Sequence, residues 1–335
     1  MKQGAIWILA FGICGLTMTV LDLLNRATDE LKAHGVENPR LNAELLLAHS
    51  MKLSREGLYI HLNDPVEGKE KEGLEKLIDR RISGEPLQYI LGRQEFWSID
   101  FKVDCRALIP RPETELLVEQ ALWVLSEKHS GGTPRVLEIG TGSGIIAISL
   151  ARERKDVLVV ASDISGDALF LAKENARSEG VLEQIKFIQG DLFGPFCFSR
   201  GKEPFELILS NPPYIARTDI ETLARETRDY EPMIALDAGE DGLLFYRSIV
   251  SQASLYLREG GWLLLEVGEN QAGKVSDFIE KGGDFSKPGR LRDLSGIERV
   301  VKAQKTGLEI RSTKFASRNK FEGPKQKIQK REDMG

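Results

Sequence analysis

The chain has 335 residues, of which 41% are hydrophobic and 29% charged, with a formal net charge of −5. These values are typical of a globular protein with one large or two ordinary domains, and the acidic balance argues against a large nucleic-acid-binding face. Cys14, Cys105 and Cys197 form no CxxC pair and the four histidines no HExxH pattern, so neither a disulfide framework nor a metal site is predicted.

Residues 1–18 form an apolar N-terminal extension. The stretch "GAIWILAFGICGLTMTVL" contains no charged residue over its 18 positions, which just reaches the length of a membrane span. Three interpretations are open: translation from a start upstream of the true one at Met18, which we favour, a membrane anchor, or a cleaved signal without an A-x-A site. Membrane contact is expected only if the extension belongs to the native protein, and the predicted location is otherwise cytoplasmic.

Residues 19–84 are predicted to form a small helical domain. Leu24 and Leu31 recur on one face at helical spacing, and Asn38 followed by Pro39 is typical of a helix cap and first turn. The segment shows no catalytic pattern, so we expect it to dock a partner.

Residues 85–110 are predicted to link this domain to the next. The stretch "QYILGRQEFWSIDFKVD" alternates apolar and polar residues on either side of a turn. Alternation of this kind predicts two strands, so the linker is expected to be a β-hairpin.

Residues 111–304 alternate between strand-like and helix-like segments. Strands are predicted at 135–139, 157–162, 185–189, 205–210 and 261–267, and helices at 114–126, 145–154, 167–179 and 243–257. This alternation predicts an α/β fold, a parallel sheet with helices on both faces, whose ligands bind at the carboxyl ends of the strands. The stretch "RLRDLSGIERVVKAQ" is expected to add a last edge strand.

Residues 305–335 form a basic tail. It contains nine Lys and Arg against four Asp and Glu, and it shows no apolar periodicity. This composition predicts disorder, and contact with RNA or a ribosome is the alternative.

A glycine-rich turn follows the first strand of the α/β region, in "RVLEIGTGSGIIAISLA". The turn comprises Gly140, Thr141, Gly142, Ser143 and Gly144. Glycines let a backbone approach a ligand closely, and the helix that follows offers free N–H groups. Ile145 replaces the third glycine of the G-x-G-x-x-G pattern; a nicotinamide or flavin turn, or a plain tight turn, is the alternative. Glu138 lies where a cationic group of a cofactor can approach it.

Acids also follow the next two strands. Asp163 lies 19 residues after Gly144, in the place where an acid binds a ribose in nucleotide-type sites. Asp191 follows the third strand and can accept a hydrogen bond from an adenine amino group, with Leu192 against the ring. Backbone capping is the alternative for both acids, with Asp163 capping a helix that begins near Ser165.

Taken together, these residues resemble the cofactor site of the class I methyltransferases. Glu138, the glycines, Asp163 and Asp191 all lie at successive strand ends. The resemblance implies a Rossmann-like domain that binds S-adenosylmethionine as its cofactor.

The next motif is Asn211-Pro212-Pro213-Tyr214, which closes the apolar run "LILS". In the methyltransferases it resembles, this motif marks an acceptor NH2 group on a planar sp² carbon, in adenine, cytosine, some guanines or glutamine. The lone pair of such a nitrogen is delocalised. The Asn211 oxygen and the Pro212 carbonyl can accept both N–H bonds, direct the lone pair at the methyl group and stabilise the developing positive charge. Tyr214 can stack on the planar acceptor, and a purely structural turn is the alternative.

Four flanking stretches narrow the resemblance to one family. The stretches "RRISGEPLQYILGRQEFW", "LIPRPETELLVE", "NPPYI" and "EPMIALDAGEDGL" are similar to those of the HemK/PrmC family of release factor glutamine methyltransferases, over residues 19–304. The resemblance implies that the substrate is the glutamine of the Gly-Gly-Gln motif of peptide chain release factors. The product is then N5-methylglutamine, and the helical domain helps to bind the release factor. The fourth stretch either covers the substrate or is a plain loop.

The resemblance also assigns roles to residues. It implies that residues 140–144, Asp163, Leu192 and Asn211 bind the cofactor. It implies that Asn211, Pro212 and Tyr214 are catalytic, and that these three and Pro213 hold the glutamine.

The segment Arg111-Pro112-Glu113-Thr114-Glu115 matches the family's segment near the active-site mouth. Glu113 and Glu115 are therefore candidates for substrate binding. A well-capped helix start is the alternative, because proline suits the first turn and acids favour a helix N-terminus.

Three rival functions remain open. A related family methylates a glutamine of a ribosomal protein, and we expect Pro-Arg-Ser there instead of this chain's Pro-Arg-Pro-Glu-Thr-Glu. A DNA or RNA amino-methyltransferase needs a base-flipping pocket and a basic surface, so no direct nucleic-acid substrate is expected. A non-enzymatic scaffold has no use for an intact Asn-Pro-Pro-Tyr motif.

Overall fold

The structure is a computed structural model that describes residues 18–66, 68–127, 132–196 and 204–307. The predictions for residues 1–17 and for residues 308–335 lie outside the described residues. Helices within the described ranges are α1 (Val20–Ala33), α2 (Pro39–Met51), α3 (Arg55–Ile60), α4 (Gly68–Ile82), α5 (Leu87–Leu91), α6 (Glu115–Glu127), α7 (Ile145–Glu153), α8 (Gly166–Ser178), α9 (Arg225–Tyr230), α10 (Leu244–Tyr256) and α11 (Ala272–Gly282).

The strands form a two-stranded and a seven-stranded sheet. They are β1 (Arg93–Phe96), β2 (Ile99–Lys102), β3 (Arg135–Ile139), β4 (Leu158–Asp163), β5 (Ile185–Gln189), β6 (Phe205–Ser210), β7 (Leu257–Glu266), β8 (Gly289–Arg292) and β9 (Glu298–Gln304). The large sheet has the order β5-β4-β3-β6-β7-β9-β8, and β3 to β7 run parallel.

Helices α1 to α4 pack around a leucine-rich core of their own. Leu24, Leu31, Leu46 and Leu74 are fully buried in it. A capping box fixes the start of α1, because Thr19 and Asp22 each accept from the backbone N–H of the other.

The start of α2 differs in detail from the prediction. Pro39 occupies the first helical turn as expected, but Asn38 makes no side-chain cap and instead adopts a left-handed backbone, with φ of 48°. Asn38 still occupies the predicted N-cap position, because its backbone carbonyl accepts from Asn42 N at 3.1 Å, and asparagine tolerates the left-handed conformation better than most residues.

The linker is more than the predicted hairpin. Strands β1 and β2 pair antiparallel around Trp97 and Ser98, which both have positive φ, as the type I′ hairpin turn requires. The strand prediction for the first residues of "QYILGRQEF" is wrong, because they form α5, which ends at Gly92 with φ of 72°. Tyr89 explains the difference, since it is buried with its hydroxyl donating to the Ala107 carbonyl at 2.7 Å.

The end of the large sheet also corrects a prediction. The segment expected to give one edge strand forms two, because Asp293 accepts from Ile297 N at 2.9 Å and closes a turn between β8 and β9. Strand β9 inserts antiparallel beside β7, and β8 is the edge. The sheet is therefore mixed and not wholly parallel.

Successive residues of the central strands face two separate cores, as buried parallel strands require. Leu207 and Leu209 of β6 pack with α6 and α7 on one face, whereas Ile208 packs with α10 and α11 on the other. Helices therefore cover both faces of the sheet, and only the strand ends stay open to ligands.

The first residues of the predicted disordered tail are in fact anchored. Lys305 forms a bridge with Phe285, and its ammonium donates to the carbonyls of Ser254 and Leu257 at 2.6 and 2.7 Å.

Every helix in the described ranges is too short or too polar to cross a membrane.

Candidate active site

A cleft opens at the carboxyl ends of β3, β4, β5 and β6. From β3 the chain first builds outward to β4 and β5 and then returns to place β6 on the other side of β3. Ligands of open α/β sheets bind at such a reversal of strand order. The cleft holds about 1090 Å³ of empty space, a figure that includes the solvent at its open mouth.

The glycine-rich turn forms the floor of the cleft, and its three glycines have positive φ of 74°, 56° and 88°. A Cβ on Gly140 or Gly142 would meet nothing within 4 Å, so both leave open space beside the backbone. A Cβ on Gly144 would instead lie 2.9 Å from Ile148 Cδ1 and 3.0 Å from Ala172 Cβ. The first two glycines therefore leave room for a ligand, and the third allows α7 to pack closely on α8.

Glu138 is buried in the wall of the cleft behind this turn. Its Oε2 accepts from Thr141 Oγ1 at 2.8 Å and from Ala147 N at 3.0 Å. Its Oε1 finds no hydrogen-bond partner among the described residues. Burial raises the pKa of Glu138 to about 8, although these hydrogen bonds act in the opposite direction. The free oxygen suits a cationic ligand group, which would replace the hydration that the carboxylate lost.

Asp163 ends β4 and faces the same cleft. Its two oxygens accept from Gly142 N at 2.8 Å and from Ser165 N at 2.9 Å. Burial raises the pKa of Asp163, and the backbone hydrogen bonds oppose the rise. Ser165 itself caps α8 by accepting from Ala168 N, so Asp163 is not the helix cap. Its carboxylate keeps acceptor sites for a ligand's hydroxyl groups.

Asp191 and Leu192 follow β5 and line the same cleft. The backbone carbonyl of Asp191 closes the turn by accepting from Gly194 N at 2.8 Å, and its side chain is exposed. Leu192 has φ of 45°, which is uncommon for a residue with a side chain.

The asparagine and the two prolines of Asn-Pro-Pro-Tyr line the cleft beside β3. Asn211 Nδ2 donates to Thr114 Oγ1 at 3.1 Å. Tyr214 lies outside the residues that line the cleft: a Cβ on Gly268 would lie 2.9 Å from its ring, and its carbonyl accepts from Gln271 Nε2 at 2.8 Å. Burial raises the pKa of Tyr214. Stacking of this ring on an acceptor amide stays a prediction.

The segment before α6 contributes other residues than those predicted. Arg111 and Thr114 line the cleft. Glu115 accepts from Trp97 N at 2.9 Å and so contacts the hairpin. Substrate contacts of Glu113 and Glu115 stay predictions.

A buried carboxylate that the sequence reasoning missed lies next to Asn211. Glu266 closes β7, and burial raises its pKa to about 7, while hydrogen bonding from Thr114 and Asn211 and the charge of Arg299 lower it. The signal was present in the sequence, because "WLLLEVG" ends an apolar strand with an acid just as "RVLEIG" does.

The stretch "EPMIALDAGEDGL" forms part of the cleft mouth. Glu231, which is buried, accepts from Ile109 N at 3.1 Å and forms an ion pair with the half-buried Arg111. Pro232 and Ile234 then reach the cleft wall. Covering of a bound substrate by this stretch stays a prediction.

Among the described residues, no three His, Cys, Asp or Glu side chains are grouped so that they could hold a metal ion.

The strand order, the glycine turn and the acids at successive strand ends define a class I methyltransferase domain. Family comparisons agree: the PrmC N-terminal domain matches residues 22–92 and the methyltransferase small domain matches residues 113–227. The chain is 42% identical over 283 residues to the release factor glutamine methyltransferase of Geobacter sulfurreducens, covering 84% of this chain and 95% of that protein. It is 38% identical to that of Chlorobaculum tepidum, with the same coverage. The chain therefore belongs to the release factor glutamine methyltransferase family.

Solved structures add a likeness of fold. The hMettl16 catalytic domain in complex with MAT2A 3′UTR hairpin 1 has a TM-score of 0.51 at 14% identity, and the match covers 69% of this chain and 83% of that chain.

Proposed function

We propose that this protein transfers a methyl group from S-adenosylmethionine to the side-chain nitrogen of the Gly-Gly-Gln glutamine of peptide chain release factors. The observation that carries the proposal is the meeting of two groups of residues in one cleft. The glycine turn, Glu138 and Asp163 lie on one side of β3, and Asn211 and Pro212 lie at the end of the adjacent β6.

The cofactor side fits the charges of S-adenosylmethionine. The unpartnered Oε1 of Glu138 can accept from the amino group of the methionyl part, and Asp163 can accept from the ribose hydroxyls. The open space beside Gly140 and Gly142 lets the ligand approach the backbone. When bound, the cofactor supplies an electrophilic methyl group on a sulfonium sulfur.

The acceptor side fits a planar amide. Because Asn211 Nδ2 donates to Thr114, the Oδ1 of the same carboxamide is available to accept from the substrate NH2. The Pro212 carbonyl can accept the second hydrogen, and Pro213 brings no competing N–H. The two acceptors hold the nitrogen with its lone pair directed at the methyl group, and they stabilise positive charge there until one proton leaves to solvent.

We also propose that residues 19–84 dock the release factor next to the cleft. Arg81 of α4 donates to Glu226 of α9 at 2.8 Å, and Tyr230 at the end of α9 donates to the Ser83 carbonyl at 3.0 Å. These contacts join the helical unit to the segment that continues into Glu231 and the cleft mouth. Because release factors act in translation, the proposal includes a cytoplasmic location.

A transfer assay tests the proposed function. The purified protein is incubated with labelled S-adenosylmethionine and, in separate reactions, with a release factor, its Gly-Gly-Ala variant, ribosomal proteins and DNA or RNA. Label is expected on the Gly-Gly-Gln factor alone. Label on a ribosomal protein or a nucleic acid, with none on the release factor, would replace the proposal with the corresponding rival.

A further inference from the structure

Glu266 lies where a side chain can act on Asn211 without touching the substrate. Strands β6 and β7 are paired so that Ser210 faces Leu265, and the next residues along the two strands are Asn211 and Glu266. Glu266 is 2% exposed and is absent from the residues that line the cleft. A buried acid so close to the reacting end of the sheet needs a role or a compensating partner.

Thr114 connects the two side chains. Its hydroxyl accepts from Asn211 Nδ2 at 3.1 Å, and it is 1% exposed. Burial raises the pKa of Glu266, and hydrogen bonding from Thr114 and, to a smaller extent, from Asn211 lowers it, so the carboxylate lies next to both groups. A threonine hydroxyl has a single hydrogen, and an ionised carboxylate can only accept. If Thr114 donates to Glu266, its lone pairs are therefore left to accept from an NH2 group.

This order of donors fixes which end of the Asn211 amide faces the cleft. We propose that Glu266 is a positioning residue which, through Thr114, keeps the Asn211 carboxamide turned so that Oδ1 meets the methyl-acceptor NH2. The inference rests on the proposed function, because it explains how that amide is held for a planar NH2 substrate.

A neutral Glu266 would lose this control. A protonated carboxyl can donate to Thr114, and Thr114 can then donate to Asn211 Oδ1. The carboxamide would turn and present its own NH2 to the substrate NH2, so two donors would face each other. Turnover is then expected to depend on the ionised form of Glu266.

The groups that face Glu266 come from four elements. Arg299 of β9 favours the ionised form, and Glu113 before α6 disfavours it. Tyr214 after β6 and Tyr246 of α10 also lie within range of its charge. Burial outweighs the favourable contacts and raises the pKa of Glu266 to about 7. The kcat of the wild-type protein is therefore expected to rise with pH through about 7.

The first test replaces the carboxylate with an amide of the same shape. In Glu266→Gln the new NH2 can donate to Thr114, so kcat at pH 8 is expected to fall about 10- to 100-fold, the order expected for a misplaced reacting group. The KM for the release factor and the Kd for S-adenosylmethionine are expected to change by less than about threefold, because Glu266 contacts neither ligand in the ground state. The rise of kcat through pH 7 should disappear. Glu269→Gln, an exposed acid three residues away, is the matched control.

A second pair of variants distinguishes the hydrogen bonding of the Thr114 hydroxyl from the packing of its side chain. Thr114→Val keeps the shape and removes the hydroxyl, whereas Thr114→Ser keeps the hydroxyl and removes a methyl group. Thr114→Ser is expected to retain most of the kcat that Thr114→Val loses. If Glu266→Gln does not fold, as judged by melting temperature, this pair decides the question.

The outcomes distinguish the two proposals. Failure of the wild-type protein to methylate any release factor would overturn the proposed function. An active wild type, with unchanged kcat and pH profile in Glu266→Gln or equal losses in the two Thr114 variants, would overturn the role of Glu266 alone.

Discussion

Two buried glutamates mark the two halves of the cleft, and their surroundings differ. Glu138 closes β3 on the cofactor side, and Glu266 closes β7 on the acceptor side. Burial raises the pKa of both, to about 8 and about 7, and one oxygen of each lacks a hydrogen-bond partner among the described residues. The two acids are therefore alike in burial, in the direction of the pKa shift and in having one oxygen without such a partner.

What differs is the distance along the chain to the groups that hold them. Glu138 is held by Thr141 and Ala147, three and nine residues away. The groups that oppose the effect of burial on the pKa of Glu266 come from distant segments, Thr114 before α6 and Asn211 after β6. The cofactor half is therefore set by one local turn, whereas the acceptor half is assembled by the tertiary fold. Substitutions are expected to separate the two halves cleanly.

The largest effect is expected for Asn211→Ala. Loss of the carboxamide removes an acceptor for the substrate NH2, so kcat should fall by about 10²- to 10³-fold, as for other donors or acceptors lost from a transition state. The Kd for S-adenosylmethionine, measured by calorimetry, should stay within about fivefold if the halves are separate. A comparable loss in both quantities would show that Asn211 belongs equally to the cofactor half.

Asp163→Ala is expected to weaken cofactor binding and to leave kcat nearly unchanged, the opposite of Asn211→Ala. The lost hydrogen bonds to a charged acceptor should weaken S-adenosylmethionine binding by about 10- to 100-fold. At saturating cofactor, kcat should recover to near the wild-type value. Asp167→Ala, which changes an exposed acid four residues later in the first turn of helix α8, is the control and should bind normally. A kcat loss that saturation does not rescue would break the separation.

The glycine turn allows a finer comparison within the cofactor half. In Gly144→Ala the added Cβ would collide with Ile148 and Ala172, so the free energy of unfolding should drop by about 1–3 kcal/mol through overpacking. In Gly142→Ala the Cβ points into open space, so the cost is about 1–2 kcal/mol of backbone strain and weaker cofactor binding. Denaturant unfolding measures the loss of stability, and calorimetry measures the loss of cofactor affinity. Equal destabilisation with equal loss of affinity would contradict the different tasks of these glycines.

A slope of stability with pH is also expected. The pKa of both glutamates is raised by folding, so the native protein binds more protons than the unfolded chain between about pH 4.5 and 8. The free energy of unfolding should therefore fall as pH rises through this window, by at most about 1.4 kcal/mol per pH unit for each group. Glu266→Gln should flatten the slope up to about pH 7, and Glu138→Gln up to about pH 8. Glu269→Gln should leave it unchanged, and a wild-type slope of opposite sign would refute the assignment.

The features that could be predicted from the sequence are those set by nearby residues, and the features that could not are those set by contacts between distant segments. The glycine turn and the strand ends were predictable because strand periodicity and turn chemistry are local properties. The helix α5 was mistaken for a strand, since a short apolar run is ambiguous until Tyr89 is seen buried against Ala107. Strand β8 could not be predicted, because the segment becomes a strand only by pairing with β9.

By itself, the sequence determined the doubly covered sheet, the cofactor turn and the rigid corner that ends β6. Each of these depends on residues only a few positions apart, whose backbone preferences act before any packing. The tertiary structure alone decided that Thr114, and not Glu113 or Glu115, meets Asn211, across 97 positions of sequence. It also decided that Glu266 lies behind them, because the register of β6 against β7 brings two strand ends together. Local chemistry fixes backbone shape, whereas only the packing order of distant strands fixes which buried side chains touch.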